Sequence, residues 1–245
     1  SLYSRDVNSA LKSLGLAQSW MWSACYGSTP LTDALFGVKY VISPSLQPLY
    51  EPLVSAGQYW LWKSGNSLPL AFLAASAPPE LSSGSPIERQ NELFRALSGT
   101  GTDVFSPVIP QVTHAGGSVT LSFTGSGRPI YADLSAYSLE ALYLNGQFVT
   151  WLNTDETRSV HLLACPASGE TAEVTITGSA AGAIDWSSAC WELDSDALSE
   201  LCASLDNTGG LSVDGAAVCL SYSSQNSRVL ATTIPAEPGW RAYLD

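Results

Sequence analysis

Charge is scarce in this sequence, and positive charge scarcest. Only 13% of the 245 residues are charged, and 10 Lys+Arg stand against 22 Asp+Glu, for a net charge of -12. That balance repels phosphate backbones and anionic headgroups, which argues against a nucleic-acid partner. No run approaches the roughly 18 apolar residues of a membrane span, and no basic stretch followed by an apolar one marks a signal peptide. Histidine occurs twice and methionine once, as Met21. The five cysteines, Cys25, Cys165, Cys190, Cys202 and Cys219, are an odd number without a C-x-x-C spacing. A zinc ribbon or thioredoxin-like site is therefore not expected; packing thiols are the simpler reading, and one disulfide stays open. No G-x-S-x-G, H-E-x-x-H, P-loop or dinucleotide fingerprint is present.

Apolar residues are plentiful instead, at 45% of the chain, enough for one large core or two modest ones. Asp6 is placed to cap a short helix with Val7, Leu11 and Leu14 on one face and Gly15 at its end. In "YGSTPLTDALFGVKYVIS", Thr29 and Pro30 start a helix that Gly37 ends, and Val38 to Ile42 reads as a buried strand. "QYWLWK" reads as a strand with Trp60 and Trp62 on one face. "LPLAFLA" follows, and "SAPPELSSGSP" reads as a surface linker. Ser85, Pro86 and Glu88 then form a capping box for a helix carrying Ile87, Leu93, Phe94 and Leu97.

From about Val104 the period changes to two. Val119, Leu121 and Phe123 alternate, Asn145-Gly146 signals a hairpin between "LEALYL" and "QFVTWL", and "SVHLLA" and "AEVTIT" continue the pattern. The expectation is a mainly β protein with some α: a jelly-roll-like β-sandwich packed with a smaller α+β part. The expected divisions are an α+β part over 1–102, the sandwich over 103–182, and a second α+β part over 183–245. This last part holds a helix from Asp194 or Ser195 with Leu198, Leu201, Cys202 and Leu205 as its buried stripe. The closing "IPAEPGWRAYLD" alternates Trp240, Ala242 and Leu244 with polar neighbours and then stops without a turn; together with Ser1 at the start, it leads to the expectation of a piece excised from a larger chain, cut before its last hairpin.

Residues able to carry chemistry are few. A hydrolase needs a nucleophile with a base or two facing carboxylates, and neither can be identified here, so an independent glycosidase is the weakest reading. His114 falls in a turn and His161 within a strand, as packed or surface histidines would. "TGSGRP" lies between strands, where no helix N-terminus can receive phosphate. Asp194, Asp196 and Glu200 suit the start of a helix, and Asp155 and Glu156 suit a solvated hairpin end, with a calcium site as the functional alternative for that pair. No catalytic, cofactor-binding or metal-binding residue is assigned. Trp20, Trp22, Trp60 and Trp62 are the candidates for sugar stacking, although alternation within strands makes core packing the simpler account.

Several stretches together resemble one family over almost the whole chain. "NSALKSLGL", "YGSTPLTDALFGVKYVIS", "LWKSGNSLPLAFLA", "LYLNGQ", "WELDSDALSELCASL" and "TTIPAEPGWRAYLD" are similar to the extracytoplasmic region of YfhO-type bacterial membrane proteins. The resemblance implies attachment to a polytopic protein similar to C-type glycosyltransferases, which glycosylate cell-envelope polymers such as teichoic acids from polyprenyl-phosphate sugars. It implies an extracytoplasmic location at the bacterial membrane, with the protein's own transmembrane helices and a cell-envelope glycopolymer as partners. Catalytic carboxylates in such enzymes sit in membrane-proximal loops that have no counterpart in these residues, so the segment itself is expected to be non-catalytic and to need no cofactor. A secreted carbohydrate-binding β-sandwich is the alternative.

Overall fold

The computed structural model describes residues 5–16, 27–45, 47–77, 83–134, 137–152, 160–205, 210–215, 217–222, 228–232, 241 and 243. The chain opens with α1 (Arg5–Ser13), α2 (Pro30–Leu35), β1 (Tyr40–Ser43), β2 (Tyr50–Ala56), β3 (Tyr59–Ser64), β4 (Ala71–Ala74) and α3 (Pro86–Ser98). Nine strands then dominate: β5 (Phe105–Pro107), β6 (Gln111–Ala115), β7 (Ser118–Thr124), β8 (Ile130–Asp133), β9 (Ala141–Leu144), β10 (Gln147–Trp151), β11 (Val160–Ala164), β12 (Thr171–Thr177) and β13 (Cys190–Leu193). A short α4 (Trp186–Ala189) precedes β13; α5 (Ser195–Leu205), β14 (Gly210–Asp214), β15 (Ala217–Ser221) and β16 (Val229–Thr232) follow it. The strand expected over 240–245 falls mostly outside the described residues, as does part of the expected linker.

Local sequence sets the helix ends. α1 begins at Arg5, one residue ahead of the expected Asp6 cap. It closes at Gly15, whose φ is +93°, with Gly15 N donating to Lys12 O at 3.0 Å and Leu16 N to Leu11 O at 3.1 Å. α2 has the reciprocal Thr29–Thr32 cap, Pro30 in its first turn, and the same pair of closing bonds around Gly37. α3 has the Ser85–Glu88 capping box and ends at left-handed Gly99. Asp194 Oδ1 accepts from the backbone N–H of Asp196 and Ala197, so this acidic cluster caps α5.

Two antiparallel sheets form the sandwich, one ordered β10-β9-β12-β7-β6 and the other β11-β8-β13-β5. With β6 set aside as an added edge strand, the orders β7-β12-β9-β10 and β5-β13-β8-β11 are those of a jelly roll, in which successive strands, the β9–β10 hairpin excepted, pass between the sheets. Alternation supplies the shared core. Val119, Leu121 and Phe123 of β7 and Ala172, Val174 and Ile176 of β12 meet Ile130 and Ala132 of β8, Leu163 of β11 and Cys190 of β13. Cys190–Leu193 thus completes a sheet whose other members lie between 105 and 164.

The four-stranded sheet is buried on both faces. Tyr131, Val160, Phe105 and Leu193 point away from the sandwich into a second core with Leu31 of α2, Phe94 and Leu97 of α3, Phe72 of β4 and the Leu198, Leu201, Cys202, Leu205 stripe of α5. Buried polar groups fix this helical layer. Asn91 of α3 receives the Phe105 N–H at 2.8 Å and donates to the Phe105 carbonyl at 2.9 Å, completing the hydrogen bonding of an edge strand. Gln90, fully buried, donates to Leu14 O at 2.8 Å and accepts from the Thr29 hydroxyl at 2.6 Å, joining α1, α2 and α3.

A third sheet, ordered β1-β3-β2, stands apart from both cores. Its exposure corrects the expectation of a buried strand over Val38 to Ile42. β1 is an edge strand, and Tyr40 and Ile42 face solvent. His114 also differs from expectation: it lies in β6, and the turn begins at Gly116.

Candidate functional site

Aromatic side chains reach solvent on two sheets. In the three-stranded sheet, Val41, Pro52 and Trp62 stand in one row across the strands, and Ser43, Ser55 and Trp60 in the next. These rows share a face. Trp60 and Trp62 lie with ring centroids 6.0 Å apart, yet they differ: Trp60 is 42% exposed and Trp62 only 6%. The Trp62 indole N–H is buried with no acceptor among the described residues. The opposite face carries Tyr40, Ile42, Val54, Tyr59 and Leu61, and among them Ile42 is 72% and Val54 58% exposed. Glu51 and Lys63 face each other in the row beside Tyr40. Trp20 and Trp22 lie outside the described residues.

The second surface is the outer face of the five-stranded sheet. There Tyr143 of β9 pairs with Phe148 of β10, and Ala141 with Trp151. The Tyr143 and Phe148 rings meet at 5.8 Å in an edge contact, and Phe148 and Trp151 at 5.1 Å. Phe148 and Trp151 are about half exposed. Beside this trio the face continues through Thr175, Thr120 and Thr113 in one row and Thr177 and Ser118 in another. The Thr120 and Thr175 hydroxyls are 3.0 Å apart.

Sequence reasoning missed the trio for a definable reason. Phe148 and Trp151 are three residues apart, and in a regular strand that spacing puts them on opposite faces. The register between β9 and β10 shifts between Phe148 and Thr150. This bulge adds one residue and brings both rings to the same side. The hairpin turn supplied a partial signal, since Asn145 and Gly146 both have positive φ, at 49° and 76°, and fix Phe148 opposite Tyr143.

Titratable groups are mostly structural. Asp33 of α2 is buried and accepts the Tyr50 hydroxyl; desolvation pushes its pKa up, opposed by hydrogen bonds from Tyr50 and Ser28. Tyr50 is pushed up as well, by burial and by the Asp33 charge. Arg128 lies 3.1 Å from Asp194 and 3.5 Å from Asp196, at the partly exposed start of α5. Cys165, Cys190, Cys202 and Cys219 are free thiols. Burial raises the Cys190 pKa to about 12 and that of Cys202 to about 11, which keeps both protonated and unreactive at neutral pH. Asp155 and Glu156 lie outside the described residues. Among the described residues no three His, Cys, Asp or Glu side chains are grouped to hold a metal ion.

Residues 1–126, just over half of the 245, match the family described as bacterial membrane protein YfhO. The matched stretch includes α1, α2, α3, the three-stranded sheet and β5 to β7. No curated protein and no solved structure matches the chain. Among the described residues no helix is long and apolar enough to cross a membrane. The β-rich structure and this match agree with the resemblance read from the sequence: the chain belongs to the YfhO family of bacterial membrane proteins.

Proposed function

We propose that this chain is the extracytoplasmic, non-catalytic part of a membrane glycosyltransferase that decorates cell-envelope polymers such as teichoic acids, and that it holds the acceptor near a reaction centre in the membrane-embedded part. The observation carrying this reading is the match to a membrane-protein family across the N-terminal half. The three-stranded sheet supports it. Tyr40, Ile42, Val54 and Tyr59 form an exposed apolar face within the matched residues, suited to contact with the protein's own membrane-spanning part.

The test is genetic and chemical. Deletion of the encoding gene should remove a glycosyl substituent from the wall polymers, and the complete gene should restore it while the 245-residue chain alone does not. Unchanged polymer glycosylation in the deletion strain would overturn the proposal. A second reading, a secreted carbohydrate-binding module, is favoured by one feature, the exposed aromatic trio on a jelly-roll face. Fractionation separates the two: the native protein sediments with membranes in the first reading and remains in the culture medium in the second.

A further inference from the structure

From the outer face of the five-stranded sheet we infer a binding site for neutral oligosaccharide, with Tyr143, Phe148 and Trp151 as its stacking platform and the neighbouring threonine and serine hydroxyls as its polar contacts. The site assigns a ligand class within the function proposed above and rests on that reading only for which glycan the site meets in the cell.

Three observations carry the assignment. The first is the platform itself. Phe148 and Trp151 are about half exposed and held by ring contacts with each other and with Tyr143. A pyranose ring presents C–H groups on its faces and hydroxyls at its edge, so it can lie on an aromatic ring while its hydroxyls turn to polar neighbours. An aromatic surface of this kind is amphipathic in the required sense.

The second is what borders the platform. Across β12, β7 and β6 the outward positions are mostly hydroxyl-bearing, with Thr175, Thr177, Thr120, Ser118 and Thr113 nearest the platform. Hydroxyls both donate and accept, which matches the mixed hydrogen bonding of a sugar. A bilayer or an apolar helix would find few partners in those rows. From β10 to β6 the strand spacing gives a width of about 19 Å, room for an oligosaccharide.

The third is charge. Glu173 is the one ionisable side chain among these outward positions of β12, β7 and β6, in a chain of net charge -12. Among these described positions no cation is present to receive phosphate or carboxylate, and the chain's net charge disfavours a polyanion. The face therefore suits the neutral glycosyl units of an envelope polymer and not its phosphate backbone. Glu173 offers oxygens that accept from sugar hydroxyls.

The 245-residue chain titrated with neutral hexasaccharides of glucose, galactose, mannose and N-acetylglucosamine tests this, with poly(glycerol phosphate) as the charged comparison. The expected result is saturable binding of at least one hexasaccharide, seen by calorimetry and by a change in tryptophan fluorescence, and none for poly(glycerol phosphate). Phe148→Ala and Trp151→Ala should each weaken that binding at least tenfold with melting behaviour retained, whereas Trp60→Ala should leave it unchanged. Binding by no hexasaccharide, or equal binding by wild type and both variants, would overturn the site. So would a dimer that these two substitutions dissociate in a protein without sugar affinity, since the face would then serve self-association. Loss of sugar binding in the variants alongside normal wall glycosylation in the deletion strain keeps the site and overturns the glycosyltransferase reading. Altered glycosylation without sugar binding does the reverse.

Discussion

The three-stranded sheet and the outer face of the five-stranded sheet both present aromatic rings to solvent, but they are supported in opposite ways. Behind Phe148 and Trp151 lies the jelly-roll core, where Leu142, Val174 and Ile176 are buried on the reverse of the same sheet. Behind Trp60 there is little: β2 is exposed along nearly its whole length, and the sheet is tied down through Trp62, Ser64 and the Tyr50–Asp33 hydrogen bond. A surface backed by a filled core keeps its side chains in place without a ligand. The three-stranded sheet has a thinner attachment, so a covering partner changes its stability more.

Removing core contacts should break the symmetry between the two regions most visibly. Phe123→Ala in β7 empties a fully enclosed position and should cost about 3–5 kcal/mol, whereas Ile42→Ala, at an exposed edge, should stay within about 0.5 kcal/mol. Urea denaturation monitored at 222 nm measures both. Equal losses would mean that the three-stranded sheet is packed against something in solution.

The joint between α2 and the three-stranded sheet comes next. Gly37 ends α2 two residues before Lys39, its φ is +66°, and an added Cβ would lie 3.2 Å from the Leu68 carbonyl oxygen. Gly37→Val combines left-handed strain with that crowding and should destabilise by more than about 1 kcal/mol. A thermal melt indistinguishable from wild type would contradict the close approach.

A smaller effect, readable by pH, concerns Asp33. Burial raises its pKa in the folded protein above the ordinary 3.8. The native state therefore binds a proton more tightly than the unfolded chain, and the resulting stabilisation is full below about pH 3.8 and is lost as pH rises through the folded value. Relative to Asp33→Asn, wild type should weaken across that window. Tyr50→Phe removes a hydrogen bond that lowers the Asp33 pKa, so it should move the window upward. A pH-independent difference between wild type and Asp33→Asn would contradict the burial.

The smallest expected change is at Arg128. Its contacts with Asp194 and Asp196 are partly exposed, and Arg128→Ala should cost less than about 1 kcal/mol and depend on salt. A larger, salt-independent loss in denaturant titrations would show that this cluster is a structural joint between β8 and α5.

Legibility followed range along the chain. The Thr29 and Ser85 caps, the glycine ends at Gly15 and Gly37, the Asn145-Gly146 turn and the alternation of Val119, Leu121 and Phe123 are set by neighbours a few residues away, and each is present in the fold. Pairings between distant strands left no such mark. Nothing in "ACWEL" says that β13 lies between β8 and β5, or that the four-stranded sheet has a helical layer on its second face. β1 was misjudged because an apolar strand looks alike whether it is central or at an exposed edge. The platform of Phe148 and Trp151 depends on one extra residue in a hairpin, a feature that periodicity erases.

On the proposed reading, this β-rich chain faces the outside of the cell, where envelope glycans are. Cys219 offers a direct probe, because it is an exposed free thiol on β15. In cells expressing the native full-length protein, a membrane-impermeant maleimide should label intact cells, and Cys219→Ser should remove that part of the signal. Labelling of Cys219 only after lysis would put the segment on the cytoplasmic side and contradict the account.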